Sequence, residues 1–487
     1  SLGGAQSYPS RTKDIDDVDF STGSVGLGVA MTAFASLTQD YLAARGAVKP
    51  DAMGRMISLL GDAELDEGNI YEALIEACKH DVRNTWWIVD YNRQSLDATT
   101  SDRMFTRYGE IFEAAGWTVE TLKWSKRQRE AFARPGGAAL RAWIERAPND
   151  LYAALTYQGG AAWRERLKAD LAGDKAALKL VEGYSDEDLA LVMTELGGHC
   201  LETILEAFER AARDDAPRFF IAYTVKGWRL PFQGHKDNHS GLMTPAQITE
   251  LRGRLGVVEG EEWDILSGLA DNETKAIRRL VETAPFAGRK DGHRSADRIA
   301  TPSAETLLKA VEGGGEQSTQ AAFGKVMFEI AKVQDDFAGR VVTTSPDVTV
   351  STNLGGFVNR RGVFHRRAHE DVFKSRRIPS AQVWAMGETG QHVELGIAEN
   401  NLFIALAALG LSAPLFGERL FPVGTLYDPF IARGLDALNY ACYQDARFLL
   451  VATPSGLTLA PEGGAHQSIG TPLIGMSQPG LDSYEPA

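Results

Sequence analysis

The stretch from Leu59 to Asp97 constrains the fold of this chain more than any other. A short apolar run, Met56–Leu60, ends at the tetrapeptide Gly61–Glu64, and apolar residues at helical spacing follow from Asn69 to Lys79. A second apolar run comes next and ends in polar residues. This pattern predicts one β-turn-α-β unit with parallel strands, in which Gly61 lets the chain turn sharply. Ligands bind at the carboxyl ends of such strands, so we expect a site there.

The polar groups of this unit suit a divalent cation and a phosphate group. Asp62 offers a carboxylate at a strand end, and thirty positions later Asn92 offers an amide oxygen. The backbone carbonyl of Gln94 is a third candidate, and Mg²⁺ prefers such oxygen ligands. Backbone N–H groups after Asp62 open a helix and can hold phosphate. The alternative is that Gly61 and Asp62 form only an ordinary turn of a doubly wound domain.

Length and composition limit the class of protein. A chain of 487 residues exceeds one ordinary domain, and its 44% apolar and 24% charged residues are typical of globular proteins. A net charge of −14 argues against nucleic acid and against an anionic membrane as partners. The three scattered cysteines fit a reducing compartment, and no apolar run approaches the roughly 20 residues of a membrane span. We therefore expect a soluble, cytoplasmic enzyme.

The Gly61–Glu64 motif and its partner around Asn92 resemble the diphosphate motif of thiamine diphosphate (ThDP) enzymes, which is GDG followed about thirty residues later by an asparagine pair. The local sequence, GDAELDEG and DYNRQSLDA, is most similar to that of the decarboxylating component of homodimeric-type pyruvate dehydrogenase. Ala63 replaces the second glycine of the motif, and Asp90 replaces the first asparagine. The resemblance implies two ligand sets: Asp62, Asn92 and Gln94 for Mg²⁺, and Gly61, Asp62, Ala63, Glu64, Asn92 and Gln94 for the cofactor as a whole.

Other segments of the first half carry the same resemblance. The stretch from Phe20 to Gly28 precedes a helix rich in small residues and resembles the family's pyrimidine-contacting turn, which implies that Tyr8, Gly23 and Val25 bind the cofactor. The strand PRFFIAYTV ends at Lys226, where the family has a lysine near the cofactor. The polar loop QGHKDNHSGLM resembles a mobile loop over the family's site entrance, which selects His239 as catalytic. The family's active-site histidine after SYP is Ser10 here.

Three residues of the second half complete the candidate site. The segment GQHVELGIAEN leads into a helix and resembles the family's motif whose glutamate hydrogen-bonds the aminopyrimidine ring, which selects Glu399 rather than Glu394. The segment FPVGTLYDPF resembles the part that stacks an aromatic ring on the pyrimidine, with Phe430 and Tyr427 as candidates. The segment EGGAH resembles the family's EGLQH, which implies that His466 lines the substrate site.

The resemblance implies an α/β fold with two ThDP-binding-fold domains, each a parallel sheet flanked by helices. Residues 1–283 would form the diphosphate-binding domain, residues 284–317 a linker, and residues 318–487 a pyrimidine-binding domain that is incomplete at its C-terminal end. Helices are expected at residues 244–255 and 261–272, a helix running from the GQHVELGIAEN segment through residue 409, and a buried strand at residues 447–453. Family members continue beyond both ends, which implies a fragment or parts carried by another chain.

The expected activity is ThDP- and Mg²⁺-dependent oxidative decarboxylation of a 2-oxo acid, with pyruvate as the first candidate. The resemblance implies acyl transfer to a lipoyl-bearing acyltransferase subunit and a homodimer with the site at its interface. His239 and His466 would position substrate and move protons. Two alternatives stay open. One is a transketolase-like or acyloin-forming enzyme, and the other is a non-catalytic structural paralogue within a dehydrogenase complex.

Overall fold

Two parallel β-sheets flanked by helices make up the chain, which confirms the α/β class predicted from the sequence. The computed structural model describes residues 7–14, 17–96, 98–284, 287, 293–312 and 315–486. The predicted linker, residues 284–317, falls in part on 285, 286, 288–292, 313 and 314, which lie outside the described residues. Within the described ranges, no helix combines the length and the apolar character that a bilayer crossing requires.

The first sheet has four strands in the order β1-β2-β4-β3. Its strands are β1 (Met56–Gly61), β2 (Thr85–Tyr91), β3 (Thr118–Leu122) and β4 (Arg218–Tyr223). Every pairing is parallel, and the last residue of β1, Gly61, lies opposite Asp90 of β2. Because these two strands end together, the chain segments that follow them meet at one edge of the sheet. This confirms the predicted β-turn-α-β unit.

Twelve α-helices lie in the described part of the chain up to residue 283. They are α1 (Leu27–Ala44), α2 (Gly68–Lys79), α3 (Met104–Ala114), α4 (Lys126–Ala133), α5 (Gly137–Arg146), α6 (Asn149–Gln158), α7 (Gly160–Asp170), α8 (Lys175–Glu182), α9 (Asp186–Thr194), α10 (Leu201–Ala211), α11 (Pro245–Leu255) and α12 (Asp271–Thr283). Of these, α1, α3 and α10 pack directly against strands of the first sheet. The helix predicted at residues 244–255 is confirmed as α11. The helix predicted at 261–272 is wrong, because the chain forms turns there and α12 begins only at Asp271.

The second sheet has six strands in the order β10-β9-β5-β8-β6-β7. They are β5 (Val341–Pro346), β6 (Val363–Phe364), β7 (Met386–Gly387), β8 (His392–Leu395), β9 (Phe421–Leu426) and β10 (Leu449–Ala452). Strand β5 lies in the middle, and the strand order reverses around it, which is the switch point where ligands bind in doubly wound sheets. The strand predicted at residues 447–453 exists as β10 but is not buried, because it forms an edge and Leu449 is exposed.

The helices around the second sheet are α13 (Ala304–Leu308), α14 (Thr319–Lys332), α15 (Asp336–Arg340), α16 (Gly355–Arg361), α17 (Val372–Ser375), α18 (Glu399–Gly410), α19 (Ser412–Phe416), α20 (Leu435–Tyr443) and α21 (Thr471–Ser477). The segment GQHVELGIAEN forms strand β8 before α18 begins, so the predicted helix starts nine positions later than the segment does. The segment is a strand because it pairs with β5, and the buried ring of His392 hydrogen-bonds the hydroxyls of Thr343 and Thr349.

One apolar core joins the two sheets. Helix α1 is buried along most of its length and packs against both α2 and α18. Its Tyr41 meets the ring of Phe364, the last residue of β6, with ring centroids 5.1 Å apart. Arg45 lies over the Tyr41 ring at 3.4 Å and donates to the backbone carbonyl of Gly390. The helix that follows the glycine-rich turn therefore holds both sheets together.

Candidate cofactor site

Asp62 stands at the edge where β1 and β2 end, and its carboxylate is almost completely buried. One carboxylate oxygen accepts the backbone N–H of Arg93 at 2.6 Å and the other accepts that of Ala63 at 2.9 Å. Burial raises the pKa of Asp62 to about 6, partly offset by these two hydrogen bonds. None of the ion pairs within the described part of the chain involves Asp62, so its charge has no cationic partner within 4.0 Å. A buried carboxylate in this condition is suited to a cation.

Asn92 lies just beyond β2, beside Asp62's partner Arg93. Its amide oxygen accepts the backbone N–H of Gln94 at 3.0 Å. The side chain of Gln94 donates to the carbonyl of Gly234 at 2.9 Å, and its own oxygen is buried with no hydrogen-bond partner among the described residues. Asp90, the departure from the family's asparagine, accepts a hydrogen bond from the hydroxyl of Thr224. The loop after β2 therefore presents several oxygen atoms beside Asp62.

The turn after β1 differs from the sharp glycine turn that the sequence predicts. Gly61 has ordinary extended angles, φ −74° and ψ 154°, which any residue can adopt. Residues Asp62–Asp66 then form a 3-10 helix, so Ala63 has helical geometry and replaces glycine without strain. A Cβ on Gly61 would meet nothing within 4 Å, so the space above it is open. Neither the backbone angles nor the local packing of the described chain therefore requires glycine at this position.

Glu64 ties the diphosphate motif to the glycine-rich turn. Its carboxylate accepts the backbone N–H of Gly26 at 2.8 Å and that of Gly61 at 3.3 Å. Gly26 has φ +85°, and a Cβ there would lie 2.3 Å from the side-chain oxygen of Asn69. This position therefore needs glycine for both backbone angle and space. The contact brings two segments of the predicted site together although 38 positions separate them.

The same glycine-rich turn touches the second half of the chain on its other side. A Cβ on Gly23 would lie 2.5 Å from the hydroxyl of Tyr440, and the hydroxyl of Ser24 donates to Asp436 at 2.7 Å. Val25 is half exposed, and its role in cofactor binding stays a prediction. Tyr8 is 67% exposed, so the described chain does not bring it into the site.

Lys226 and the loop after it close one side of the Asp62 edge. The Lys226 ammonium donates to the carbonyl of Ser95 at 2.9 Å, and burial lowers its pKa, an effect that the nearby charges of Asp62 and Asp90 oppose. The loop is anchored here because Asn238 donates to the Lys226 carbonyl at 2.8 Å. His239 itself is exposed. The loop is thus fixed near the site while the predicted histidine faces outward.

His199 is a site neighbour that the sequence motifs did not select. Its Nε2 accepts the backbone N–H of Val225 at 2.8 Å, and its ring stacks on Trp228 with centroids 4.2 Å apart. Burial lowers the pKa of His199 to about 4, with the charges of Arg229 and Arg93 acting in the same direction. The ring therefore stays neutral at physiological pH and can accept this hydrogen bond. In the sequence, the Gly197–His199 turn before α10 is the feature from which this histidine could have been selected.

Glu399 begins α18 and is buried against α2. It pairs with Arg433, with Oε2 and Nη1 2.8 Å apart. The segment before it is held by Glu76 of α2, which accepts the backbone N–H of Gly396 at 3.1 Å. Glu394 instead hydrogen-bonds His392 and Thr349 within the second sheet. The two glutamates therefore have different environments, and Arg433 is a second residue that the sequence motifs did not select.

Phe430, Tyr427 and His466 form a cluster of rings beside β9. The centroids of Phe430 and His466 are 5.5 Å apart, and the rings of Tyr427 and Phe430 are nearly parallel at 6.3 Å. His466 Nε2 lies 3.7 Å from the carboxylate of Glu462, and its Nδ1 is buried without a partner among the described residues. The two segments selected from the sequence therefore meet in the fold.

The predicted residues form three separate groups within the chain. The first surrounds Asp62, the second surrounds Glu399 and the third surrounds His466. The glycine-rich turn bridges the Asp62 group and α20, but within the described ranges no hydrogen bond or ion pair joins Asp62 to Glu399 or His466. A single chain thus holds the parts of a site at two distinct sheet edges.

The Asp62 group fits a magnesium ion and a diphosphate. A buried carboxylate without a cationic partner, the neighbouring amide oxygen of Asn92 and the open space above Gly61 are the features that such a ligand needs. Within the described residues, no group of three or more His, Cys, Asp or Glu side chains could hold a metal alone. A metal here would therefore take part of its coordination from phosphate and backbone oxygens.

With its parallel sheets flanked by helices, the chain is similar in fold to thiamine diphosphate-dependent proteins of the transketolase type. Residues 7–134 match the family profile described as transketolase, thiamine diphosphate binding domain. Solved transketolases share the fold. That of Campylobacter jejuni has a TM-score of 0.56 at 16% identity and covers 95% of this chain and 57% of its own. That of Leishmania mexicana has a TM-score of 0.57 at 16% identity, with coverage of 95% and 56%.

Among curated proteins, the chain is similar to several pyruvate dehydrogenase E1 components. That of Corynebacterium glutamicum is 24% identical over 509 residues, which cover 100% of this chain and 54% of the relative. That of Mycobacterium tuberculosis is 25% identical over 505 residues, with coverage of 100% and 53%, and that of Escherichia coli K12 is 24% identical, with coverage of 99% and 55%. The chain spans about half the length of these relatives. The family resemblance predicted from the motifs is thus confirmed.

Proposed function

We propose that this chain takes part in ThDP- and Mg²⁺-dependent oxidative decarboxylation of a 2-oxo acid, with pyruvate as the first candidate. The observation that carries the proposal is the buried Asp62 carboxylate, which has no cationic partner among the described residues and lies beside Asn92 where β1 and β2 end. The similarity of the whole chain to pyruvate dehydrogenase E1 components supports this reaction over others. When bound, the cofactor supplies an electron sink for cleavage of the bond to the carboxylate.

The protein's own residues would bind and orient the reacting groups. Asp62, Asn92 and the Gln94 carbonyl would hold Mg²⁺, and the N–H groups that follow Asp62 would face the diphosphate. Glu399 would share a proton with the aminopyrimidine ring from its buried position at the start of α18. His466 would hold or donate a proton at the substrate, since its Nδ1 has no other partner among the described residues.

A homodimer would complete the site. Asp62 and Glu399 belong to separate groups in one chain, so we propose that the first sheet of one subunit faces the second sheet of its partner across the cofactor. An acyl product would then pass to a lipoyl-bearing acyltransferase subunit through the entrance beside the His239 loop. Light scattering of the purified chain with ThDP and Mg²⁺ should give twice the mass of one chain. A monomer with full cofactor occupancy would contradict this arrangement.

One titration followed by one assay tests the proposed function. ThDP should bind saturably only with Mg²⁺, and the loaded protein, supplied with an artificial oxidant as electron acceptor, should release CO₂ from pyruvate faster than from longer or branched 2-oxo acids. Absence of ThDP binding would overturn the cofactor assignment. Firm binding without CO₂ release from any 2-oxo acid would overturn the reaction and favour a non-catalytic paralogue. Two-carbon transfer between sugar phosphates without CO₂ release would favour the transketolase-like alternative.

A further inference from the structure

A second pocket opens at the carboxyl edge of the first sheet, beyond Arg93. Its cavity measures about 200 Å³. Tyr91 and Tyr223, the last residues of β2 and β4, form its floor, and Lys123 follows the last residue of β3. We call this cavity the basic pocket. The remaining lining residues follow β2 or lie in and beside α3, α5 and the start of α6. They are Arg93, Asp102, Arg103, Phe105, Ile144, Glu145, Arg146, Ala147 and Asn149.

The basic pocket carries an excess of positive charge, although the chain as a whole is negatively charged. Four cations and two carboxylates line the pocket, whereas the whole protein has a net charge of −14. Both carboxylates already have partners, because Asp102 accepts the backbone N–H of Asn149 at 2.9 Å and Glu145 pairs with Arg141 at 3.1 Å. Among the described residues, none of Arg103, Lys123 and Arg146 has a carboxylate within 4.0 Å. Unpaired cations gathered around one cavity favour an anionic ligand.

Lys123 shows what kind of anion fits. Its ammonium lies 4.8 Å from the Trp124 ring centroid, 5.2 Å from that of Tyr223 and 5.3 Å from that of Phe105. The rings of Tyr223 and Phe105 line the pocket and give it an apolar wall beside the positive charges. Burial lowers the pKa of Lys123 to about 8; the charge of Glu145 opposes this effect, and the charges of Arg93 and Arg103 add to it. The site thus combines a half-buried cation with aromatic surface.

We propose that the basic pocket binds a small phosphorylated metabolite. The phosphate would contact Lys123, Arg93 and Arg103, and the short organic part would pack on Phe105 and Tyr223. Guanidinium and ammonium groups together suit a dianion. A volume of about 200 Å³ lies below the roughly 300–1,000 Å³ of sites for drug-sized ligands, so the organic part is limited to a few carbon atoms. This inference does not depend on the proposed decarboxylation.

Calorimetry of the full chain without ThDP or Mg²⁺ tests the pocket, with glycerol 3-phosphate as the probe. We expect Lys123→Met to weaken binding by at least about tenfold, as loss of one charge-assisted contact does. Arg107→Ala removes an exposed arginine of α3 outside the pocket and should change nothing. Asp62→Asn keeps an oxygen that can accept the Arg93 N–H and should weaken ThDP binding while leaving the probe affinity intact, which separates this inference from the proposed function. Equal affinity of Lys123→Met and the unmodified chain would overturn the proposal, as would equal affinity for inorganic phosphate.

The pH dependence of binding gives a second readout that a folding defect would not imitate. Phosphate esters are already dianionic above pH 7, so between pH 7.5 and 9.5 only protein groups titrate. The groups facing Lys123 are Arg93 after β2, Asp102 and Arg103 before α3, Arg141, Glu145 and Arg146 of α5, and Tyr223 of β4. Burial raises the pKa of Tyr223, which keeps it neutral in this range.

Probe affinity should therefore fall by about tenfold as Lys123 loses its proton, because its pKa is about 8 without ligand. Lys123→Arg keeps the charge throughout this range and should show a flat profile. A fall of the same size in Lys123→Arg would contradict the assignment of Lys123 as the phosphate-binding cation.

Discussion

At the scale of single residues, we expect Asp62 to decide whether the proposed magnesium ion binds. Asp62→Asn keeps an oxygen that can accept the Arg93 N–H but removes the charge that a magnesium ion needs. We expect ThDP affinity in the presence of Mg²⁺ to fall by more than about 10²-fold, beyond the effect of losing an outer-shell partner. Asp66→Asn alters an exposed carboxylate of the same 3-10 helix and serves as the control. If both variants bind ThDP as the unmodified chain does, Asp62 is not a ligand.

Glu399 should control activity rather than cofactor binding. Glu399→Gln preserves the size of the buried side chain and removes its ability to exchange a proton. We expect CO₂ release from pyruvate to fall by about 10²-fold or more with ThDP still bound, because the proposed diphosphate contacts lie in the first sheet. Glu394→Gln should be far milder, since that carboxylate serves the His392 and Thr349 network. The opposite ranking at saturating ThDP would show that the aminopyrimidine contact belongs to Glu394.

At the scale of elements, the loop from Gln233 to Met243 is anchored at one end and open at the other. Asn238 and Gly234 bind it to the residues around Lys226 and Gln94, while His239 is exposed. His239→Ala should therefore slow acyl transfer to a lipoyl domain more than it slows CO₂ release with an artificial oxidant. Lys236→Ala, an exposed cation of the same loop, is the control. Equal slowing of both half-reactions would place His239 at the decarboxylation step instead.

At the scale of the whole molecule, Asp40 of α1 and Arg366 after β6 form a contact between the two halves, with the oxygen and nitrogen 3.2 Å apart. Burial raises the pKa of Asp40 to about 7, and Arg366 only partly opposes this. The folded state therefore binds more protons than the unfolded state between about pH 4 and 7. Over that window the carboxylate lowers the free energy of unfolding as pH rises, by up to about 1.4 kcal/mol per pH unit.

Asp40→Asn should remove this dependence. The measured quantity is the free energy of unfolding from urea titration, taken as the variant minus the unmodified chain. This difference should rise steadily from about pH 4 to 7 and stay level above pH 7, because only the unmodified chain loses stability over that range. Asp51→Asn changes an exposed carboxylate that is hydrated in both states, so its difference should be constant across the same range. If the difference for Asp40→Asn does not change with pH, then Arg366 fully compensates the buried charge of Asp40.

Much of the first sheet and its site could be read from the sequence, because the signals are local. The apolar runs of β1 and β2, the helix between them and the polar residues that end both strands lie within about forty positions, and parallel pairing leaves those ends side by side. The family motifs also selected Phe430 and His466, which meet in the fold. The local pattern therefore predicted which polar residues follow the ends of β1 and β2, while their chemical roles stay predictions.

Tertiary structure alone decided the partners that are distant in sequence. Asp90 meets Thr224 across 134 positions, and Arg433 reaches Glu399 from the turn after β9. Strand β8 and the exposure of β10 depend on neighbouring strands, which a single segment does not reveal. The basic pocket gathers its cations from several segments, each unremarkable alone. The sequence by itself determined the motifs and their spacing. The packed fold determined the charge partners and the burial of the motif residues, because both depend on which distant segments the core brings together.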